Sequence, residues 1–239
     1  MCELLAVAYP SPQAFAEVLP WALELERLGI AGFGWGVAWL EGGRVNAHRH
    51  PSSLRGDPEG ARELSRVRSE RFLVHLRRPS RLLTVGLADT QPFLAAAGRL
   101  AFCHNGSFHR HEQLRPRFEG LAGQADSEVG FRLFEAGLAP AGDLSAAALI
   151  SAFRRTHDAL GGNANLACLD RTGTLAVYGA HANNTLWRFQ VGEAEVAATG
   201  LHSDDRALFK LLFIDAAGPA LVGREGALVG SPLPAAAFQ

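Results

Sequence analysis

Cysteine stands second in the chain, directly after the initiator methionine. Its side chain is small enough to permit removal of Met1, which leaves Cys2 carrying a free α-amine beside its thiol. An α-amine titrates near ~7.7–8.0 and a thiol near ~8.5, so a base and a nucleophile sit on one residue, acting directly or through one water. By position alone, Cys2 reads more simply as a small hydrophobe opening an edge strand. A thiol that attacks an amide also needs donors for the developing oxyanion. Asn105 and Gly106 offer a side-chain NH₂ and a backbone N–H for that purpose, behind the apolar run Leu100-Ala101-Phe102-Cys103-His104. The same Asn-Gly pair is also the best two-residue hairpin turn.

A free amino-acid substrate requires partners for its α-carboxylate and its α-amine. Arg77, at the end of an expected strand over 72–76, presents a bidentate fork for a carboxylate. Asp126, at the start of an expected helix, can pair with an ammonium. Each residue has a plainer alternative: Arg77 as one surface arginine among many, Asp126 as a helix cap.

Other constellations carry less. His48/His50 and His109/His111 are two His-x-His pairs that would each place both rings on one face of a strand. Zinc would need a third or fourth ligand at matched spacing, and none is evident, so no metal is expected. Cys103 and Cys168 lie in apolar strands and read as inert core thiols. The chain has no Gly-x-Ser-x-Gly elbow, no phosphate-binding Gly-x-x-x-x-Gly-Lys and no dinucleotide fingerprint, and no cofactor is expected. Trp21, Trp35, Trp39 and Trp187 read as core or interface residues, with Trp35 close to the candidate site.

The elements that must position these residues follow from periodicity and breakers. Residues 3–9 read as a short buried strand closed by Pro10 and Pro12, and 13–28 as a helix broken or kinked at Pro20. Strands are expected at 35–40 and 43–49 across a turn at Glu41-Gly42-Gly43, and a polar helix over about 58–70 before the strand at 72–76. A strand over 99–104 ends at Asn105-Gly106. Helices are expected at 126–137 and 144–160, the second capped by Asp143 and stopped by Gly161-Gly162. Strands follow at about 164–169, 174–180, 185–191 and 194–199, and the tail from 206 has little periodicity. Strands, two central helices and more strands indicate a layered α+β domain rather than alternating βαβ units.

Composition bounds the rest. The 239 residues are 48% hydrophobic and 20% charged, with a formal net charge of −1, as in ordinary soluble globular proteins. Without a long run of one sign, nothing points to nucleic acid or to an anionic membrane surface. No stretch approaches the ~18–20 apolar residues of a membrane span, and the N-terminus lacks the pattern of a signal peptide. With three cysteines, a disulfide scaffold is not expected, and the cytoplasm is the default compartment. Asn105-Gly106-Ser107 and Asn183-Asn184-Thr185 match the glycosylation triplet, which means little without secretion.

Taken together, these residues resemble the class II glutamine amidotransferase domain, the N-terminal-nucleophile type. The matching motifs are Met1-Cys2-Glu3-Leu4, Gly34-Trp35-Gly36, His75-Leu76-Arg77, Thr90 with Pro92-Phe93, Phe102-Cys103-His104-Asn105-Gly106 and Asp126-Ser127-Glu128. They keep the family's order and compatible spacings over roughly the first 130 residues. The resemblance implies one domain over 1–239, a four-layer α/β/β/α sandwich of the Ntn-hydrolase type. It implies hydrolysis of glutamine, or of a γ-glutamyl amide, to glutamate and ammonia through a thioester on Cys2. Asn105 and Gly106 match the oxyanion hole, Arg77 the binder of the substrate carboxylate and Asp126 the partner of its amine; Trp35 and Ser80 are counted with the substrate-binding residues.

Several positions depart from the family. Phe33 stands where Asp usually precedes Gly-Trp-Gly, Pro79 and Ser80 replace the Ala-Thr after the arginine, and Asp89-Thr90-Gln91-Pro92-Phe93 replaces Asn-Thr-His-Pro-Phe. Thr199-Gly200-Leu201-His202 stands for the Ser-Glu-Pro-Leu of stand-alone members. The chain leaves no room for the synthetase domain of full-length amidotransferases, so an ammonia-receiving synthetase would be a separate partner. The alternative is a non-catalytic relative whose altered pocket serves binding or assembly.

Overall fold

The computed structural model describes residues 2–29, 31–138, 144–201 and 208–230. In chain order, β1 (Glu3–Ala14) leads to α1 (Leu19–Leu28), the pair β2 (Trp35–Glu41) and β3 (Arg44–His50), α2 (Pro58–Leu64) and β4 (Arg68–Leu76). Then come β5 (Phe93–Leu94), β6 (Leu100–Phe108), α3 (His111–Leu114), α4 (Asp126–Leu138) and α5 (Ala146–Leu160). Strands β7 (Gly162–Asp170), β8 (Leu175–Ala180), β9 (Leu186–Val191), β10 (Ala194–Thr199), β11 (Ala217–Leu221) and β12 (Ala227–Leu228) complete the order.

The strands form two antiparallel sheets, a seven-stranded one ordered β11-β9-β10-β1-β4-β2-β3 and a five-stranded one ordered β12-β8-β7-β6-β5. The twofold alternation of side chains along β1 explains the layering. Leu5 and Val7 point outward into a core with Phe15, Ala22 and Leu25 of the α1 region. Leu4, Ala6 and Ala8 point the other way and meet Ala101, Cys103, Ala167 and Leu169 of the five-stranded sheet. That sheet's far face buries Phe102, Leu166 and Cys168 against Val129 and Phe134 of α4 and Leu149 and Phe153 of α5. Phe134 and Phe153 stack at 4.8 Å between ring centroids, locking the two helices together. The result is the expected four-layer α/β/β/α sandwich.

Several boundaries differ from the sequence expectation. β1 does not close at Pro10 and Pro12. It continues to Ala14, and its register on β4 shifts between Ala8 and Gln13, so both prolines fall where the ladder is interrupted. Pro20 sits in the first turn of α1, where it costs no hydrogen bond. α2 ends at Leu64, well short of residue 70, because pairing of Ala14 with Arg68 already draws the chain into β4. Ser145 caps α5, its hydroxyl accepting from the Ala148 N–H at 3.3 Å, and Gly161 ends the helix at φ 61°. Met1, Asp143 and His202 lie outside the described residues. Among the described residues no helix is long and apolar enough to cross a membrane.

Candidate active site

Strand pairing brings the chain start to the end of β4. Glu3 pairs with Leu76, which sets Cys2 opposite Arg77 and Arg78 as they leave the strand. The half-buried Cys2 Sγ accepts from the Arg78 N–H at 3.3 Å and lies 3.5 Å from the Arg78 carbonyl. Burial pushes the thiol up, while the Arg78 N–H and the Arg77 charge pull the other way.

From the second sheet, β6 delivers Asn105 and Gly106 to the same place. The structure corrects the turn reading: both residues lie inside β6, with Asn105 paired to Asn165 and Gly106 to Ala164 of β7. Asn105 is fully buried, and its amide NH₂ donates to the Cys2 carbonyl. Its Oδ1 accepts from Asn165 Nδ2 at 3.3 Å, and that Nδ2 also donates to the Asn184 carbonyl at 2.6 Å. Asn184 Nδ2 in turn donates to the Cys2 carbonyl at 3.3 Å. Asn105 of β6 and Asn184 of the β8–β9 connection thus hold the Cys2 carbonyl, and Asn165 of β7 ties the two together. Gly106 has φ 147°, and a Cβ there would stand 1.9 Å from the Asn163 carbonyl oxygen, so only glycine lets the two strands close here. The burial of Asn105 also removes it as a glycosylation site.

Cys2 opens on a cleft of about 280 Å³ lined also by Arg77, Pro79, Ser80, Arg81, Thr84, Gln91, His104, Gly106, His111 and Asp126. Arg77 is 3% exposed; its Nη2 donates to Thr84 Oγ1 at 2.8 Å and its Nη1 has no partner among the described residues. A buried guanidinium donor left unpaired is costly, and an anionic ligand would satisfy it. The backbone of Arg77 is fixed, its N–H donating to the Gly34 carbonyl at 2.8 Å and its carbonyl accepting from Gly32 and Phe33 at 3.0 Å. The same cleft holds Asp126 at the first turn of α4, where the helix field favours a carboxylate. Asp126 Oδ2 accepts from the Phe108 N–H at 2.7 Å and Oδ1 from the Ser127 N–H at 2.9 Å. A cation and an anion on one cleft beside a thiol suit a zwitterionic ligand.

Trp35 is the exception among the expected binding residues. It does not line the cleft; it is fully buried on the α1 side of its sheet, with Nε1 donating to Asp57 Oδ2 at 3.2 Å. Ser80 is on the cleft wall with Pro79. The departures at 89 and 91 are structural anchors. Asp89 Oδ1 accepts from the Gln124 and Ala125 N–H groups at 2.7 and 2.6 Å, shaping the entry to α4. Gln91 receives the His104 N–H at 2.6 Å and donates to the His104 carbonyl at 3.1 Å, fastening the loop after β4 to β6.

Sequence reasoning did not single out Thr84, His104, Asn165 or Asn184 for the site. His104 Nδ1 lies 2.9 Å from Ser127 Oγ, and its ring stacks on Phe108 at 3.9 Å. His75 lies beneath, its Nε2 3.2 Å from the His104 carbonyl, and burial holds it down at about 3, so it stays neutral. The histidine pairs behave differently from each other. His48 and His50 do share a face, with rings parallel at 6.5 Å and both toward Asp57, whereas His109 follows the end of β6 and His111 begins α3. Among the described residues no three His, Cys, Asp or Glu side chains are placed to hold a metal ion. Cys103 and Cys168 are buried, and burial raises both thiols well above their usual range.

A family model, glutamine amidotransferases class-II, matches residues 1–193. Among solved structures, glutamine phosphoribosylpyrophosphate amidotransferase from B. subtilis is similar, with a TM-score of 0.68 and 19% identity, over 93% of this chain and 45% of that one. The chain therefore spans less than half the length of that relative. A glutamine aminotransferase class-II domain protein from Silicibacter pomeroyi matches with a TM-score of 0.55 and 21% identity, over 83% of this chain and 88% of its own. A predicted glutamine amidotransferase from Pseudomonas aeruginosa gives a TM-score of 0.50 and 22% identity, over 83% of each chain. No curated protein matches the sequence.

Proposed function

The chain belongs to the class-II glutamine amidotransferases, and from that premise we propose that it hydrolyses the side-chain amide of glutamine, or of a γ-glutamyl amide, through Cys2. The observation that carries this reading is the Nη1 of buried Arg77, without a partner among the described residues, on the cleft that also holds Cys2 and Asp126. Arg77 takes the substrate α-carboxylate and Asp126 its α-ammonium, which fixes the γ-amide near the Cys2 thiol. Ser80 contributes to the wall on that side.

A thiol pushed up by burial does not ionise unaided near neutral pH. Removal of Met1 supplies the base, because the freed α-amine of Cys2 titrates near ~7.7–8.0. The amine takes the thiol proton, and Sγ bonds to the amide carbon. Asn105 Nδ2 and the Gly106 N–H receive the oxyanion, for which Asn105 must exchange its bond to the Cys2 carbonyl. The proton passes to the leaving nitrogen, the C–N bond breaks, and ammonia or an amine departs, leaving a thioester. Water, deprotonated by the same amine, then cleaves the thioester to release glutamate and the thiol.

Released ammonia would serve a separate synthetase partner or simply be lost, and glutamine and γ-glutamyl amides differ only in the leaving group. The test is glutamate release by the Met-free protein and by Cys2→Ala. Turnover is expected to vanish in the variant while its melting temperature stays near that of the parent. Unchanged turnover in Cys2→Ala would remove Cys2 from the reaction.

A further inference from the structure

The carboxyl next to the nucleophile takes no part in the steps above. Glu3 is fully buried and lies on the α1 side of its sheet, as Leu5 and Val7 do. Its Oε2 accepts from Thr199 Oγ1 and, at 3.3 Å, from Asn184 Nδ2, while Oε1 has no partner among the described residues. The chain makes space for this group. A Cβ on Gly29 would lie 2.8 Å from Glu3 Cγ and 3.0 Å from Oε1. That neighbour is the C-terminal end of α1, whose field disfavours a carboxylate. An apolar side chain would be more stable here than a half-satisfied acid.

Both partners of Glu3 also hold the backbone of the segment that begins with Cys2. Asn184 Nδ2 reaches the Cys2 carbonyl at 3.3 Å, and Thr199 Oγ1 accepts the Leu4 N–H at 3.1 Å. Glu3 therefore joins two hydrogen-bond chains that flank Cys2, one ending on its own carbonyl and the other two residues on. We propose that Glu3 is a positioning residue for Cys2, its carboxylate anchoring Asn184 and Thr199 and thereby setting the Cys2 backbone against Asn105. This rests on the reading of Cys2 as the nucleophile.

The charge that reaches Glu3 is that of the N-terminal amine, with Asn184, Thr199, Leu76 and Gly29 around it neutral. Burial raises the carboxyl to about 7 against the donors Thr199 and Asn184, so its anchoring strength changes across neutral pH. Glu3→Gln keeps the shape and imitates the protonated acid at every pH.

The experiment is the pH profile of kcat and KM for the Met-free wild type, Glu3→Gln and Thr199→Val, with glutamine or a γ-glutamyl amide as substrate. In the wild type, kcat should rise with a limb near the Glu3 value, below the limb of the α-amine. Glu3→Gln should lose the lower limb, with kcat down roughly threefold to tenfold at high pH, the size of a weakened charge-assisted bond, and KM unchanged. Thr199→Val, which removes one donor, should move that limb to higher pH. Profiles of both variants that superimpose on the wild type overturn the role of Glu3. A Met-free wild type without amidase activity overturns the nucleophile reading, and the role of Glu3 with it.

Discussion

The space between the two sheets differs sharply from its edge at Cys2. In the middle, Leu4, Ala6, Ala8, Leu73, Ala101, Cys103, Ala167 and Leu169 close on one another without a polar atom to satisfy. At the edge, His75, Asn105 and Asn165 are each 0% exposed, and Glu3, also 0% exposed, lies beside them on the α1 face of β1. Around Cys2, Glu3 Oε1, His75 Nδ1, Arg77 Nη1 and Asn165 Oδ1 stand buried without partners among the described residues. The middle follows the rules that make a core stable; the edge breaks them repeatedly. Such violations gather where a protein holds groups ready for a ligand, and the cost is carried by the packed middle.

Substitutions in the two zones should therefore separate activity from stability. The largest effect belongs to the edge: Asn105→Ala should lower kcat on the order of 10²–10³-fold, with a smaller change in KM, because an oxyanion donor acts in the transition state. A loss confined to KM would move Asn105 out of that role. In the middle, Leu169→Ala should cost about 2–5 kcal/mol of unfolding free energy by leaving a cavity, read by denaturant titration. The kcat of the folded variant should stay near that of the parent, and a joint collapse of activity and stability would blur the division between zones.

The smallest effects come from protonation, and they have opposite signs. Glu3 is raised from its ordinary 4.5 to about 7, so the folded state keeps a proton that the unfolded chain releases between those values. Stability from this group is present at low pH and is lost as pH rises toward 7, by at most about 3 kcal/mol. Glu3→Gln should melt close to the parent at pH 4 and above it at pH 8; an equal difference at both would contradict the buried charge. His75 is held down from 6.5 to about 3, so its share is present above 6.5 and is lost as pH falls toward 3. His75→Gln should accordingly soften the acid unfolding of the protein.

The sheet-forming segments from 162 to 199 were legible because their alternation and their Gly and Asn turns agree with the sheet they enter. The candidate site was legible as an ordered set of residue types, with Cys2 and Arg77 at strand ends, Asp126 at a helix start and Asn105-Gly106 inside β6. Asn105-Gly106 was ambiguous because local preference favours a turn, and pairing with Asn165 and Ala164 decides for a strand. Trp35 was counted with the substrate-binding residues beside the Gly34-Trp35-Gly36 motif, yet strand alternation turns it to the other face of the sheet. Asn184 and the surroundings of Glu3 were invisible, because their contacts join residues 181 positions apart. The prolines of β1 misled because a register shift, which depends on β4, absorbs them.

The most direct measurement is the intact mass of the purified protein before and after exposure to a reactive glutamine analogue. A chain that has lost Met1 and gains one adduct, absent in Cys2→Ala and sharply reduced in Arg77→Ala, is the predicted result. A Met-free chain that takes up the analogue equally well as Cys2→Ala would place the nucleophile elsewhere and contradict the assignment of Cys2.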